Sequence, residues 1–283
     1  MRALFKDLLK GSGTPVIQTA GPEGETILSA ANIWTSAHAR RIGLREQGLL
    51  PGDVLCAGSG PFTAAIDFVA CCIGGFTYLP LAPENLAALS DELRKRPIAG
   101  RAGAAFADDA GRVAHHAGRL PASLAALHEA PQAQLALLSP ELAHFTGEEL
   151  VRAIARLSKD LSTPVGGARL TRRGAYDDAG FVTDLLLGLY NRQTIYWRGA
   201  PRPDEVDTLA ELFALEIDDL VLGPAMIEPL AEAADRLAAA TRPALSRIRL
   251  HTGGAALSAG QRDFAEDLFG AVIVEPALAA LVN

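Results

Sequence analysis

The spacing of apolar residues in the first third of the chain predicts alternating helices and strands. In 27–50 they recur at helical intervals, and Ser29 can cap the start of that helix. A short apolar run at 54–56 predicts a buried strand. Residues 61–75 predict a second helix that ends at two glycines, and 76–81 predict a second strand. This order of elements is typical of parallel α/β layers.

The alternation continues to the end of the chain and predicts a doubly wound, layered α/β fold. Further strands are predicted at 103–107, 133–139, 167–172, 194–197, 219–222, 248–254 and 271–276. Further helices are predicted at 87–96, 147–161, 180–193, 205–217, 258–269 and from position 224 onward. The pattern divides the chain into a first α/β lobe at 1–135 and a second α/β lobe at 136–283.

Charge and hydropathy exclude two classes of partner. Aspartate and glutamate outnumber lysine and arginine, 33 to 26, which gives the 283-residue chain a net charge of −7. No basic patch stands out, so we expect no nucleic acid as a partner. The most apolar window, 64–81, is interrupted by Asp67, two glycines and Pro80, so no membrane span and no membrane partner are predicted.

The cellular compartment is predicted from the cysteines and the start of the chain. Cys56, Cys71 and Cys72 are odd in number and lack metal-ligand spacing, which indicates buried thiols in a reducing environment. Residues 1–13 lack a small-residue cleavage site after an apolar segment, so no signal peptide is predicted. The expected location is the cytoplasm.

Several short motifs suggest chemistry but have simpler explanations. The run Gly-Ser-Gly at 58–60 lacks the third glycine of a dinucleotide fingerprint. His115 and His116 have no cysteine or carboxylate cluster at ligand spacing, so we expect them in a solvent-exposed loop. Asp177 and Asp178 are explained as caps of the helix that follows them. No catalytic residue and no metal site is predicted.

The order of elements at the start of the chain carries a family resemblance. Within 27–84, a helix, a Pro-Gly-Asp turn at 51–53, a strand, a second helix and a closing Pro-Leu-Ala-Pro at 80–83 follow one another. In this order they resemble the opening of the adenylate-forming superfamily, which includes acyl- and aryl-CoA synthetases and other AMP-binding ligases. Residues 245–270 are similar to the strand and glycine turn that support adenine and acyl groups in that family. The resemblance implies the layered α/β N-terminal domain of these enzymes.

The resemblance also implies where a ligand would bind. The cofactor-binding role falls on the turn Gly253, Gly254, Ala255, Ala256 and Leu257. The substrate pocket for an acyl or aryl group falls on Tyr176, Asp177, Phe181 and Met226, in a mostly apolar cleft. Asp177 stands where the family usually has a histidine, or Tyr176 does if the alignment is shifted by one. The local pattern alone explains 253–257 equally well as a tight glycine connection between a strand and a helix.

Much of the family's ATP machinery has no counterpart in the sequence. Segment 140–153, where the resemblance places the phosphate loop, has one glycine, no Pro-Lys-Gly, and the acidic pair Glu148 and Glu149, which would repel phosphates. Glu275 alone does not supply the family's Tyr-Gly-x-Thr-Glu element. The sequence stops at Asn283, so the C-terminal domain with its catalytic lysine is expected to be absent. ATP or AMP and Mg²⁺ are therefore implied by the resemblance alone.

Two hypotheses of function follow. The first is an acyl-CoA synthetase-like or AMP-ligase-like protein of acyl or aryl carboxylate metabolism that cannot adenylate alone, because each missing electrostatic contact to the reacting phosphate removes roughly 2–4 kcal/mol of transition-state stabilisation. A protein partner would then supply the missing domain. The second is a non-catalytic binding or scaffold protein that reuses the fold to dock an acyl-carrier protein or a synthase.

Overall fold

The computed structural model describes residues 15–21, 24–46, 49, 51, 54–57, 61–80, 104–107, 113–116, 135–138, 144–172, 180–198, 214–234, 242–253 and 256–275. The strands in these ranges are β1 (Pro15–Gly21), β2 (Gly24–Ser29), β3 (Val54–Ala57), β4 (Thr77–Pro80), β5 (Ala104–Ala107), β6 (Val113–His116), β7 (Leu135–Leu138), β8 (His144–Thr146), β9 (Ala168–Thr171), β10 (Thr194–Trp197), β11 (Asp219–Val221), β12 (Arg249–His251) and β13 (Ala271–Ile273).

The helices cover both short and long segments. They are α1 (Ala30–Glu46), α2 (Pro61–Gly74), α3 (Gly147–Asp160), a π-helix (Gly180–Leu186) that continues as α4 (Leu187–Tyr190), a 3₁₀ turn (Pro224–Met226) that continues as α5 (Ile227–Ala234), α6 (Arg242–Leu245) and α7 (Ala259–Leu268). None of the helices within the described ranges is long and apolar enough to cross a membrane.

The strands form two largely parallel sheets. The seven-stranded sheet has the order β13-β12-β11-β9-β10-β1-β2, and its strands are parallel except where β1 pairs with β2. The six-stranded sheet has the order β6-β5-β3-β4-β7-β8, with a parallel centre and antiparallel edge pairs. The predicted layered α/β fold is therefore confirmed.

One apolar cluster, here called the shared core, contains buried residues of both sheets. Phe68 of α2, Tyr78 of β4 and Phe181 of the π-helix meet in it, with ring centroids 5.0–5.8 Å apart. Ile195 and Trp197 of the seven-stranded sheet belong to the same cluster. Aromatic pairs at such distances contribute beyond their buried area, so the shared core joins the two sheets.

The other face of the seven-stranded sheet packs on a separate cluster, here called the second core. Leu170, Leu220 and Leu250 lie side by side in neighbouring strands of that sheet, where α5, α6 and α7 cover them. Because side chains alternate between the faces of a strand, the residues before each leucine point to the opposite face. That alternation sets the position of the charged residues described below.

The structure differs from the sequence predictions at specific places. β1 and β2 form a hairpin that the apolar pattern did not predict, so α1 begins at Ala30 rather than at 27. Ser29 caps α1 as predicted, since its hydroxyl accepts a hydrogen bond from Asn32 N at 3.2 Å. The prediction of a loop at His115 and His116 is wrong, because both residues lie in β6 and pair with β5.

The division of the chain into lobes at 1–135 and 136–283 stays a prediction. β1 and β2 belong to the sheet that otherwise comes from the second half of the chain, and β8 belongs to the six-stranded sheet. The predicted helix at 87–96 lies outside the described residues.

Candidate functional site

The carboxyl ends of β11, β12 and β13 lie together because these three strands are parallel neighbours. The chain leaves β12 through Thr252 and Gly253, and Gly253 has a φ of 72°, a conformation that favours glycine. Gly253 N donates a hydrogen bond to Glu275 Oε2 at 2.7 Å. The turn after β12 is thus held by the residue that follows β13 at the same edge of the sheet.

Two of the predicted site residues pack near this edge. Met226 and Leu257 are partly buried against the second core, and Ala256 is exposed. Gln261 Nε2 donates to Pro224 O at 3.2 Å, which ties α7 to the 3₁₀ turn that contains Met226. The structure therefore brings Leu257 and Met226 to one side of the seven-stranded sheet, and the Gly253 turn lies at the carboxyl edge of the same sheet.

The remaining predicted residues are placed elsewhere or lie outside the described ranges. Phe181 is fully buried in the shared core, on the other side of the sheet from Met226. Tyr176 and Asp177, as well as Gly254 and Ala255, lie outside the described residues. The cofactor and pocket roles of all these residues stay predictions.

A buried ionic network lies on the face of the sheet that looks toward the shared core. Arg169 of β9 is fully buried, with Nη2 at 3.3 Å from Asp219 Oδ2 and Nη1 at 3.6 Å from Asp184 Oδ1. Its Nη1 also donates to the Thr183 carbonyl of the π-helix. Because buried charges need partners, these contacts fix the π-helix against the sheet.

The network continues across β11 and β12 toward the Gly253 turn. Arg249 Nη2 lies 2.6 Å from Asp219 Oδ1. His251, two residues further along β12 and on the same face, has Nε2 at 3.1 Å from Asp219 Oδ1 and Nδ1 at 3.3 Å from Glu275 Oε1. Asp219 and His251 have no exposed surface, and Glu275 is 3% exposed. A continuous set of charged contacts therefore runs from Asp184 to the turn.

Asp219 is the centre of this network. Burial by itself raises the pKa of its carboxyl group, but the hydrogen bond to His251 and the charge of Arg169 outweigh burial and hold the pKa below its ordinary value. Gln193 Nε2 also donates to Asp219 Oδ2, at 2.9 Å. Asp219 is therefore a buried carboxylate that stays ionised.

Sequence reasoning did not find this network. Arg169, Asp219, Arg249 and His251 each lie in a segment predicted to be a strand, and Arg249 and His251 have the spacing of two that places side chains on one strand face. The sequence did contain a signal for this network, namely charged residues at matching positions of strands that were predicted to be buried. The strand order was needed to interpret it, because Arg169 and Asp219 are 50 positions apart.

The resemblance assigns the phosphate loop to segment 140–153. The structure describes this segment from residue 144 onward, where it forms β8 and the start of α3. Thr146 caps α3: its hydroxyl accepts from Glu149 N at 3.2 Å, and its own N donates to Glu149 Oε2 at 2.7 Å. This capping box satisfies two of the amide groups at the helix N-terminus, those of Thr146 and Glu149, with the chain's own side chains. Glu148 adds an exposed acidic group there, so these residues do not fit a triphosphate.

Other chemistry-bearing residues have structural partners. Asp184 accepts a hydrogen bond from the Thr171 hydroxyl at 2.8 Å. Cys71 is buried as predicted, and burial raises the pKa of its thiol. Within the described part of the chain, no group of three or more His, Cys, Asp or Glu side chains is arranged to hold a metal ion.

Comparison by sequence finds no matching protein-family model and no matching curated protein. Comparison with solved structures finds clear likeness. The chain resembles the structure of VinN in complex with L-aspartate, with a TM-score of 0.66 and 16% identity, over 96% of this chain and 74% of that one. It resembles coronafacic acid ligase from Pectobacterium brasiliense with a TM-score of 0.68 and 11% identity, over 96% of this chain and 59% of that one.

A third similar structure is the adenylation domain of a keto acid-selecting NRPS module bound to keto acyl adenylate. Its TM-score is 0.67 at 15% identity, over 94% of this chain and 55% of that one. The chain thus has the fold of adenylate-forming ligases, which confirms the resemblance seen in the sequence at the level of the fold. It spans between about half and three quarters of the lengths of these proteins.

Proposed function

We propose that this chain is a ligase-like protein that binds an acyl or aryl group, or its adenylate, and does not activate a carboxylate with ATP by itself. The binding site is the carboxyl edge of the seven-stranded sheet, at the Gly253 turn. The observation that carries this proposal is the positive-φ turn at Gly253, which Glu275 holds at the carboxyl edge of the sheet whose second core includes the partly buried Met226 and Leu257.

The position of the turn supports a ligand site. In open α/β sheets, ligands bind outside the carboxyl ends of the parallel strands, and β11, β12 and β13 end together here. Glycine at 253 lets the backbone come close to a ligand, and the apolar side chains of Met226 and Leu257 suit an acyl or aryl group. The similar structures bound to L-aspartate and to keto acyl adenylate make this ligand class the natural one to test.

The start of α3 supports the second half of the proposal. A triphosphate binds at a helix N-terminus when backbone amides are free to donate and positive charge is near. Here Glu149 and Thr146 bond each other's amides, and two carboxylates occupy the first turn. Repulsion between these carboxylates and phosphate opposes ATP binding in the orientation that adenylation needs.

Titration calorimetry with non-hydrolysable acyl-adenylate analogues tests the binding site. We expect binding by the wild-type chain and about tenfold weaker binding by Gly253→Ala, because a Cβ at positive φ costs on the order of 1–2 kcal/mol and shifts the turn. Gly260→Ala is the matched control, since a Cβ at that helical position meets open space. Equal affinity of the two variants, or no binding of any analogue, contradicts the site.

Pyrophosphate exchange with a panel of acyl and aryl acids, ATP and Mg²⁺ tests the lack of autonomous activation. We expect no exchange above background from the chain alone. Robust exchange by the isolated chain contradicts the proposal. Exchange that arises when a second protein is added, without any from either alone, assigns the chain to a split ligase.

A further inference from the structure

Asp67 is a buried carboxylate that an arginine of the neighbouring helix holds by one oxygen. It is the single charged residue of α2, and it is 1% exposed. Its Oδ1 accepts a hydrogen bond from Arg40 Nε of α1 at 2.6 Å. Its Oδ2 is also buried and accepts no hydrogen bond from the described residues. One of the two carboxylate oxygens therefore lies in the interior without a donor, which is costly while the group is charged.

Asp219 shows how a buried carboxylate is compensated more fully. Its Oδ2 accepts from Gln193 and Arg169, and its Oδ1 contacts Arg249 and His251. At Asp67, by contrast, burial raises the pKa of the carboxyl group, and the charge and hydrogen bond of a single arginine offset only part of this effect. The pKa of Asp67 therefore lies above its ordinary value, whereas that of Asp219 lies below.

We propose that Arg40 and Asp67 form an acid-sensitive latch between α1 and α2. When Asp67 takes up a proton from solvent on Oδ2, its carboxyl group becomes neutral and the hydrogen bond to Arg40 weakens. The side chain of Arg40, which is 23% exposed, then turns into solvent while the fold persists. The latch stands on the contacts of this pair and is independent of the function proposed above.

Arg40 is the charged group that faces Asp67 from α1. It shares a helix face with the buried apolar residues of α1. The other ionisable residues of that helix lie on other faces, and they are His38, Arg41, Arg45 and Glu46. On α2 itself, Cys71 is the ionisable neighbour, and burial raises the pKa of its thiol well above the ordinary value. Cys71 is therefore neutral, and Arg40 alone decides the local charge balance on these two helices.

The other elements that α2 touches bring no further charge to the pair. β3 and β4 contain no Asp, Glu, His, Lys or Arg, and the ring of Tyr78 in β4 packs against Phe68. The π-helix meets α2 through Phe181, and its charged residue, Asp184, bonds to Thr171 of the seven-stranded sheet. Among the described residues, the latch therefore consists of one acid and one base.

The direction of the pKa shift indicates that the fold survives release of the latch. A carboxyl group with a raised pKa in the folded chain adds stability below the pKa of the unfolded chain, and this stability is lost as the pH rises through the folded pKa. Ionised Asp67 therefore costs stability at neutral pH, and its protonation in mild acid does not unfold the chain. The apolar residues Ile33, Ala37 and Leu44 keep α1 in the shared core.

NMR spectroscopy follows both members of the latch as the pH is lowered. We expect the carboxyl ¹³C signal of Asp67 to titrate at a higher pH than that of an ordinary aspartate, without unfolding. Over the same pH range, protection of the Arg40 Nε–H against exchange with water should fall about tenfold or more, since a hydrogen bond to a charged group contributes on that order. An Asp67 signal that titrates at or below the ordinary pH overturns the proposal. So does an Arg40 Nε–H whose protection is unchanged as Asp67 titrates.

Asp67→Asn imitates the neutral state without acid. We expect its Arg40 Nε–H to exchange about tenfold or more faster than in the wild type at neutral pH. Asp160→Asn is the matched control, because it removes the acid of the exposed pair with Arg156, and it should leave Arg40 protected. Wild-type protection of Arg40 in Asp67→Asn contradicts the latch.

Arg40→Gln keeps the proposal testable if Asp67→Asn does not fold. It removes the charge that lowers the pKa of Asp67, so Asp67 should titrate at a still higher pH. Arg45→Gln, at an exposed position on another face of α1, should leave this titration unchanged. Equal titration of Asp67 in the two variants overturns the pairing.

Urea unfolding of Arg40→Gln and the wild type, at neutral pH and in mild acid, completes the test. We expect the gap between their unfolding midpoints to narrow as the pH falls, because a protonated Asp67 no longer needs Arg40. A gap that stays constant or widens in acid overturns the latch.

Discussion

Arg169 is a fully buried guanidinium in the interior of a parallel sheet, surrounded by Asp184, Asp219 and the Thr183 carbonyl. Such a group stabilises the fold because its positive charge compensates the buried carboxylates around it. Without it, two carboxylates would remain in the interior with reduced neutralisation. At the scale of single residues, Arg169 is therefore a position where substitution should lower stability strongly.

Arg169→Ala is expected to lower the free energy of unfolding by about 3–5 kcal/mol, the usual effect of breaking a buried ion pair from one side. Arg152→Ala removes an arginine from an exposed ion pair with Glu148 and should change stability by less than about 0.5 kcal/mol. Urea unfolding of both variants measures the difference. Similar losses in the two variants would show that the network contributes no more than a surface pair.

The residues of this network mark the limit of prediction from the sequence. The turn at Gly253 was predicted as a point of interest because glycine pairs after apolar runs are local signals. Its partner Glu275 is 22 positions away, and the contacts of Asp219 reach 50 positions in one direction and 32 in the other. Such contacts depend on the strand order, which local patterns do not contain.

Two helices of the protein begin with the same device. Thr146 and Glu149 form a capping box at α3, and Ser258 and Gln261 form one at α7. In both cases the side chain at the cap accepts from the third residue, whose side chain accepts from the cap amide. The capping box of α3 lies in the segment to which the resemblance assigns the phosphate loop. Thr146 and Glu149 therefore have a structural role in that segment.

Thr146→Ala is expected to lower the free energy of unfolding by about 1 kcal/mol, within the usual range for a lost N-cap. Thr146→Ser keeps the hydroxyl and should stay close to the wild type. Chemical unfolding with circular dichroism measures both. A Thr146→Ala chain as stable as the wild type would mean that the capping box is weak and that its amides are available to another acceptor.

Elements with regular apolar spacing were predicted well, and their bounds in the structure agree within a few residues. The strands at 54–57, 194–197 and 219–221 and the helices at 61–74 and 147–160 are examples. β1 and β2 were missed because their residues mix apolar and polar types, and because pairing of β1 with β10 and of β2 with β1, rather than a local pattern, stabilises them. β8 was missed because only one of its three residues, Phe145, is apolar.

The whole molecule is held together by the shared core, which contains residues of both sheets. Phe68 belongs to this core and packs against both Tyr78 of the six-stranded sheet and Phe181 of the π-helix. A core that both sheets use predicts that they unfold in one cooperative step. Two independent lobes would instead open separately.

Phe68→Ala is expected to lower the free energy of unfolding by about 3–5 kcal/mol and to do so equally for both sheets. Native-state hydrogen exchange measures this through peptides that cover β3 and β4 and peptides that cover β9 and β10. Val165→Ala, at a side chain 77% exposed, is the control and should have no effect. Loss of protection against exchange in one sheet alone would support the division into lobes at 1–135 and 136–283.

The π-helix at Gly180–Leu186 has a consequence for tracing the ancestry of this chain. A π-helical turn closes with one residue more than an α-helical turn, because its hydrogen bonds join residues five rather than four positions apart. A correct alignment with a protein that has an ordinary α-helix here needs a one-residue gap inside this segment. Without the gap, the positions that follow the π-helix are compared with the wrong neighbours. One codon gained or lost at this place is the event that would convert one kind of helix into the other.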